Sequence, residues 1–195
     1  MKKQQMITDN KSVSATSATW RDVKWQKVEL NVYRLQMRIA KAAKEQRHNK
    51  VKALQWLLTH SLEAKLLAVK RVTSSQGAKT AGVDGKIYQC DADKMQLALS
   101  LKQRGYKAQP LKRVYIPKRN GKKRPLGIPI LRDRAMQALY LMALEPIAEM
   151  QADPNSYGFR PYRSTADAVE RCFKVLCNKP SVRWILEGDI KACFD

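Results

Sequence analysis

Two short β-type runs, Lys112-Arg113-Val114-Tyr115-Ile116-Pro117 and Arg124-Pro125-Leu126-Gly127-Ile128-Pro129, flank Lys118-Arg119-Asn120-Gly121-Lys122-Lys123. Asn and Gly both tolerate positive φ, so Asn-Gly between such runs is the strongest short-range hairpin signal. Proline cannot donate to a ladder, which confines these runs to edges or strand ends. The sequence therefore predicts a β-hairpin within residues 112–130, with Lys118, Arg119, Lys122, Lys123 and Arg124 at or beside its tip. Five cations on so short a ribbon repel one another, and an anion such as a phosphate offsets that cost.

The positive charge extends well beyond the hairpin. The chain has 38 Lys and Arg against 17 Asp and Glu, a formal charge of +21. Such an excess draws polyanions, of which RNA and DNA are the default. Charge alone is also compatible with a basic structural protein. The basic residues run through most of the sequence, so a single terminal tail does not account for them.

Upstream of the hairpin the pattern is helical. Residues 1–19 are polar and rich in Ser and Thr, and are expected to be a disordered tail. From Trp20 onward, Val28, Val32, Leu35, Ile39 and Ala42 recur in steps of three and four, ringed by Arg34, Arg38, Lys41, Lys44 and Arg47. A second helix is expected from about Asn49 to Val72, with Val51, Leu54, Leu58, Leu62 and Leu66 inward, so the two read as an antiparallel pair. A loop follows and closes on Gly82-Val83-Asp84-Gly85. A short helix from Asp93 to about Arg104 is stopped by Gly105.

Downstream, a helix is expected from Leu131 to about Glu149, kinked by Pro146. Ser164 caps another running to about Cys177, with Ala168, Val169, Cys172, Phe173 and Leu176 inward. Val182 to Leu186 reads as a strand that Glu187-Gly188-Asp189-Ile190 extends. The four cysteines form no C-x-x-C pair and both histidines lie far from them, which argues against zinc and for reduced, half-buried thiols in a cytosolic protein. No apolar run approaches the roughly 20 residues of a membrane span, and a cytoplasmic location without membrane contact is expected.

One acid stands out. Asp189 lies at the end of the expected strand, with an aromatic five residues on at Phe194. Taken alone, it reads as a helix N-cap closing a strand-to-helix turn. Beside a phosphate-suited hairpin it also reads as a metal acid, since magnesium-dependent nucleotidyl transfer needs carboxylates for metal and cations for the triphosphate.

At these residues the chain resembles group II intron reverse transcriptases. Arg113 to Lys118, Asn120-Gly121-Lys122 and Arg124 to Pro129 with Asp133-Arg134 are similar to the family's first sequence block. Asn155-Ser156-Tyr157-Gly158-Phe159-Arg160-Pro161 with Arg163-Ser164 is similar to the second. Gly188-Asp189-Ile190 and Cys193-Phe194-Asp195 are similar to the opening of the third, polymerase motif A. Leu54-Gln55, Leu57-Leu58-Thr59, Ala68-Val69 and Gly82 to Gly85 resemble the family's N-terminal extension.

The resemblance implies an α+β fold, a truncated reverse transcriptase with a helical N-terminal extension, fingers and the first palm strand. Its divisions would be a tail at 1–19, an RNA-binding extension at 20–86, fingers at 87–180 and the start of the palm at 181–195. It implies an RNA-directed DNA polymerase whose Asp189 binds Mg2+ with help from the Ile190 carbonyl. Lys118 and Arg124 would grip the dNTP triphosphate, and Phe194 would exclude a 2′-hydroxyl. RNA contacts fall to Arg38, Lys41, Lys44, Lys65, Arg113 and Arg160. The implied partners are template or intron RNA, a DNA primer and a complementing C-terminal polymerase fragment. The alternative is a non-catalytic, maturase-like RNA-binding splicing cofactor. The family's Tyr-x-Asp-Asp turn, which carries the remaining metal carboxylates, has no counterpart in these 195 residues. The chain alone is therefore expected to give no product in a primer-extension assay with magnesium and dNTPs.

Overall fold

The computed structural model describes residues 19–119, 121–177 and 184–190. Except for Thr19, the expected N-terminal tail lies outside the described residues. The fold is mixed, with a helical N-terminal region followed by a two-stranded sheet and further helices.

A single 3-10 turn at Trp20–Asp22 precedes α1 (Trp25–Lys44), whose expected stripe points inward: Val28, Val32, Ile39 and Ala42 are buried and Leu35 packs beside them. The expected second helix is two helices, α2 (His48–His60) and α3 (Leu62–Thr73). Ser61 breaks them apart: its backbone is extended, and its side chain accepts from the Ala64 N–H at 3.2 Å. Serine competes for the backbone in this way, satisfying a donor that a helix start leaves open. The break also resets the helical phase. Leu62, expected inward, is exposed, while Ala64, Leu66, Ala68, Val69 and Val72 turn into the core.

The helix expected from Asp93 begins earlier and ends earlier, as α4 (Asp91–Ser100). The buried Leu101 is extended and ends it, and Gly105 takes φ +73° in the turn beyond. The hairpin forms from β1 (Lys112–Pro117) and β2 (Lys123–Ile128), antiparallel, with Val114 opposite Leu126 and Ile116 opposite Arg124. Next comes α5 (Leu131–Gln151), which packs on α1, α2 and α3. One core cluster joins residues from α1 through α5, so it crosses the division expected at residue 86.

Pro146 lies inside α5, which continues through it. A proline at position i cannot donate to the carbonyl at i−4 and its ring crowds that carbonyl, leaving an acceptor without its helical donor. Here that acceptor is Met142, and the Gln36 amide of α1 donates to it at 2.9 Å. The next carbonyl, Ala143, accepts from the Gln55 amide of α2 at 3.0 Å. The proline defect thus becomes two tertiary bonds that pin α5 to α1 and α2.

The last helix, α6 (Thr165–Leu176), starts as the sequence predicts, with Ser164 and Asp167 forming a capping box. Its apolar stripe does not face a core. Val169 and Phe173 are 68% and 69% exposed, and Ala168 is only half-buried. The reason is that amphipathicity selects a face but does not supply the surface to cover it, and no described element packs closely on α6. Cys90, Cys172 and Cys177 are free and exposed, not half-buried, and Cys193 lies outside the described residues.

Trp184 to Ile190 are exposed and belong to neither helix nor strand, in contrast to the strand expected there; residues 182 and 183 lie outside the described residues. A strand persists only where its backbone finds ladder partners, and among the described residues β1 and β2 pair only with each other.

Replacing Gln36 by Leu should destabilise the fold by about 1–3 kcal/mol, the usual cost of stranding a buried acceptor. Urea unfolding midpoints would show it, and a Pro146→Ala background, which restores the helical donor, should shrink that cost.

Candidate nucleic-acid interface

The hairpin tip is built by its backbone. The Gly121 N–H donates to the Lys118 carbonyl at 3.0 Å, and the Lys118 N–H donates to the Lys122 carbonyl at 2.6 Å. Gly121 takes φ +77°, the left-handed region that a residue with a Cβ enters at a cost. This is a three-residue loop with glycine at its left-handed position, a close variant of the two-residue Asn-Gly turn. Asn120 itself lies outside the described residues.

Side chains alternate between the two faces of a ribbon, so Ile116, Lys118 and, across the pair, Arg124 share one face. An open recess of about 420 Å3 is lined by Ile116, Pro117, Lys118, Arg119 and Arg124. Among the described residues, no acid forms an ion pair with Lys118, Arg119 or Arg124. Three uncompensated cations around one recess suit an anion with several oxygens, and arginine supplies paired donors of fixed geometry.

The root of the hairpin is fixed by the first turn of α5. Asp133, 3% exposed, accepts from the Tyr106 hydroxyl at 2.7 Å and from the Gln109 N–H at 2.9 Å. Burial, reinforced by that bond to Asp133, pushes the Tyr106 phenol up to about 12. On the other side, Arg134 donates to the carbonyls of Pro129 (2.9 Å), Gly77 (2.8 Å) and Thr80 (2.6 Å), tying the loop before Gly82 to the end of β2. Gly82 lies so close to Ile130 that a Cβ there would come within 2.7 Å of its backbone. In the sequence, Asp133-Arg134 stood out only through resemblance; its structural task had no local signal.

The expected RNA-binding residues divide into groups. Arg38, Lys41 and Lys44 are exposed on one side of α1, three residues apart. Lys65 is half-buried on α3 and Arg113 is exposed on β1. Arg160 has a different occupation. Its guanidinium makes a two-pronged pair with Glu149 at 3.0 and 2.7 Å and donates to the carbonyls of Asp153 (2.8 Å) and Ser156 (3.0 Å). With its side chain largely covered, it clamps the loop after α5, and it holds the Glu149 carboxyl below the usual carboxylate range. Either side of the clamp, Phe159 and Tyr162 sit at φ +59° and +58°, a conformation that costs an ordinary side chain about 1–2 kcal/mol.

The expected metal acid does not lie at the end of a described strand. Asp189 is exposed in an irregular stretch and is not among the residues lining the Lys118–Arg124 recess. Ile190 is likewise exposed, and Phe194 lies outside the described residues. Among the described residues, no three His, Cys, Asp or Glu side chains come together in a way that could hold a metal ion. No described helix is long and apolar enough to cross a membrane.

Residues 20–101 match the family model for the N-terminal domain of reverse transcriptase, and residues 116–195 match that for reverse transcriptase (RNA-dependent DNA polymerase). Protein YkfC of Escherichia coli is 44% identical over 138 residues, which cover 67% of this chain and 36% of that protein. The group II intron-encoded protein LtrA of Lactococcus lactis is 39% identical over 132 residues, 66% of this chain and 22% of LtrA. An uncharacterized 91 kDa protein in the cob intron of Schizosaccharomyces pombe is 35% identical over 148 residues, 76% of this chain and 16% of that protein. The matched part of this chain spans about a third or less of the length of these relatives.

A raised Tyr106 pKa means that the folded state favours the neutral phenol. Its stabilisation is complete below the ordinary value of 10.0 and is lost as pH rises toward about 12. Urea unfolding between these limits should show a falling stability, and Tyr106→Phe should flatten that fall.

Proposed function

Because the chain belongs to the reverse-transcriptase family, through its N-terminal domain and the first part of its polymerase domain, we propose that it forms the template-holding and fingers portion of a group II intron-encoded RNA-directed DNA polymerase. The observation that carries this reading is the cationic recess on the hairpin, where Lys118 and Arg124 stand together and, among the described residues, pair with no acid. Such a recess holds a triphosphate by charge and by donor geometry, and it needs no covalent chemistry from the protein.

In this reading, α1 and its exposed Arg38, Lys41 and Lys44 bind the phosphates of the RNA template or intron, while the hairpin closes over the incoming dNTP. Lys65 and Arg113 extend the same contact, and Arg160 is left to its structural clamp. Asp133 and Arg134 act by position: they hold the root of the hairpin so that its tip presents cations at a fixed place. The work is placed in the cytoplasm, with RNA and a DNA primer as partners.

Filter binding of single-stranded RNA should weaken steeply with salt, with a log–log slope of about −0.7 per phosphate neutralised. Lys41→Ala should make that slope shallower by about 0.7, since it removes one exposed cation. A flat salt response would remove the RNA-binding reading. Within a full-length polymerase carrying this segment, Lys118→Ala with Arg124→Ala should raise the KM for dNTP, and unchanged kinetics would remove the triphosphate assignment.

A further inference from the structure

The second helix carries a feature that the phosphate contacts do not use. Trp56, 61% exposed, stacks on His60 with ring centroids 4.2 Å apart and planes 21° from parallel. The His60 ring is held in place, because its Nδ1 donates to the Trp56 carbonyl at 2.8 Å. A large apolar ring left in water at a helix surface is unfavourable, and a ring already ordered by a stacked neighbour has little freedom left to lose on binding.

Exposed cations stand on α2 and at its C-terminal end. Lys52, one helical turn before Trp56, is exposed, and α2 contains no Asp or Glu. Gln103 donates to the Thr59 carbonyl, which brings the exposed Lys102 and Arg104 to the same end of α2. An aromatic platform bordered by Lys and Arg is the arrangement that holds single-stranded nucleic acid, with a base on the ring and phosphates on the cations. A protein partner of acidic character would meet the same charge, but it would not call for a stacked ring pair.

We propose that the Trp56–His60 pair is a base-stacking site for single-stranded RNA, with Lys52, Lys102 and Arg104 taking the flanking phosphates. The proposal rests on the RNA-binding reading above and adds a contact to the bases that is independent of charge. A stacked base contributes affinity through its π-face, so this site tolerates any sequence and discriminates unpaired from paired RNA.

The test uses the 195-residue chain with a 12-nucleotide single-stranded RNA and with an abasic strand of equal length and charge. Trp56→Ala should weaken binding to the RNA by roughly 5- to 150-fold. It should leave the log–log salt slope unchanged, because it removes no cation. The same substitution should have little effect on the abasic strand, and Trp56→Phe should retain part of the affinity. Lys52→Gln should instead make the slope shallower on both strands. Equal affinity of Trp56→Ala and the unaltered chain for the RNA would overturn the stacking site and turn the platform over to a protein partner. So would an equal loss on both strands. Failure of the unaltered chain to bind RNA even at low salt would overturn the underlying reading as well.

Discussion

A proline inside the helix on which three others pack creates the constraint that organises this fold. Pro146 removes one backbone donor from α5, and the Met142 carbonyl beneath it lies where bulk water does not readily replace that donor. Gln36 of α1 fills the gap, and Gln55 of α2 serves the adjacent carbonyl. Apolar burial brings the helices together without fixing their rotation or register. The two amides do fix them, because a hydrogen bond is short and directional. The N-terminal helices and the long helix of the polymerase portion are therefore one body.

That body holds the hairpin at its root. Asp133 and Arg134 face different ways from the first turn of α5, one gathering the Tyr106–Gln109 segment and the other gathering the loop at residues 77–80 and the end of β2. The carboxylate is well placed near a helix N-terminus, where the helix dipole favours negative charge. Arg134 offers a rigid fork of donors to three carbonyls, a role that lysine could not copy. The consequence for function is positional. Among the described residues no acid pairs with Lys118, Arg119 or Arg124, while the base of the hairpin is tied into the core, so charge is presented on a ribbon with an anchored origin.

The same chemistry explains why some basic residues turned away from the role expected of them. Arg160 and Arg124 look alike as basic residues in neighbouring sequence blocks, yet one clamps a loop and the other lines a recess. What separates them is an acid brought near from eleven residues away: Glu149, on the last turns of α5, faces Arg160, and no described acid faces Arg124. Nothing in the composition of either segment announces that difference. The split of the second helix at Ser61 was closer to legible, since serine is a strong N-cap, but a continuous apolar period masked it.

By itself the sequence determined the local elements: the inward stripe of α1, the hairpin around Gly121, the capping box at Ser164 and the acid-poor positive charge of the chain. These are set by interactions among residues close in the chain, which a linear pattern records. Tertiary structure alone decided which amphipathic faces found a partner. Among the described residues it covered α1 and α5 and left α6 open, paired Arg160 but not Arg124, and left Asp189 exposed outside any strand. Burial, ion pairing and ladder formation each need a second surface supplied from a distant part of the chain, and a pattern along one segment specifies only its own half of such a contact.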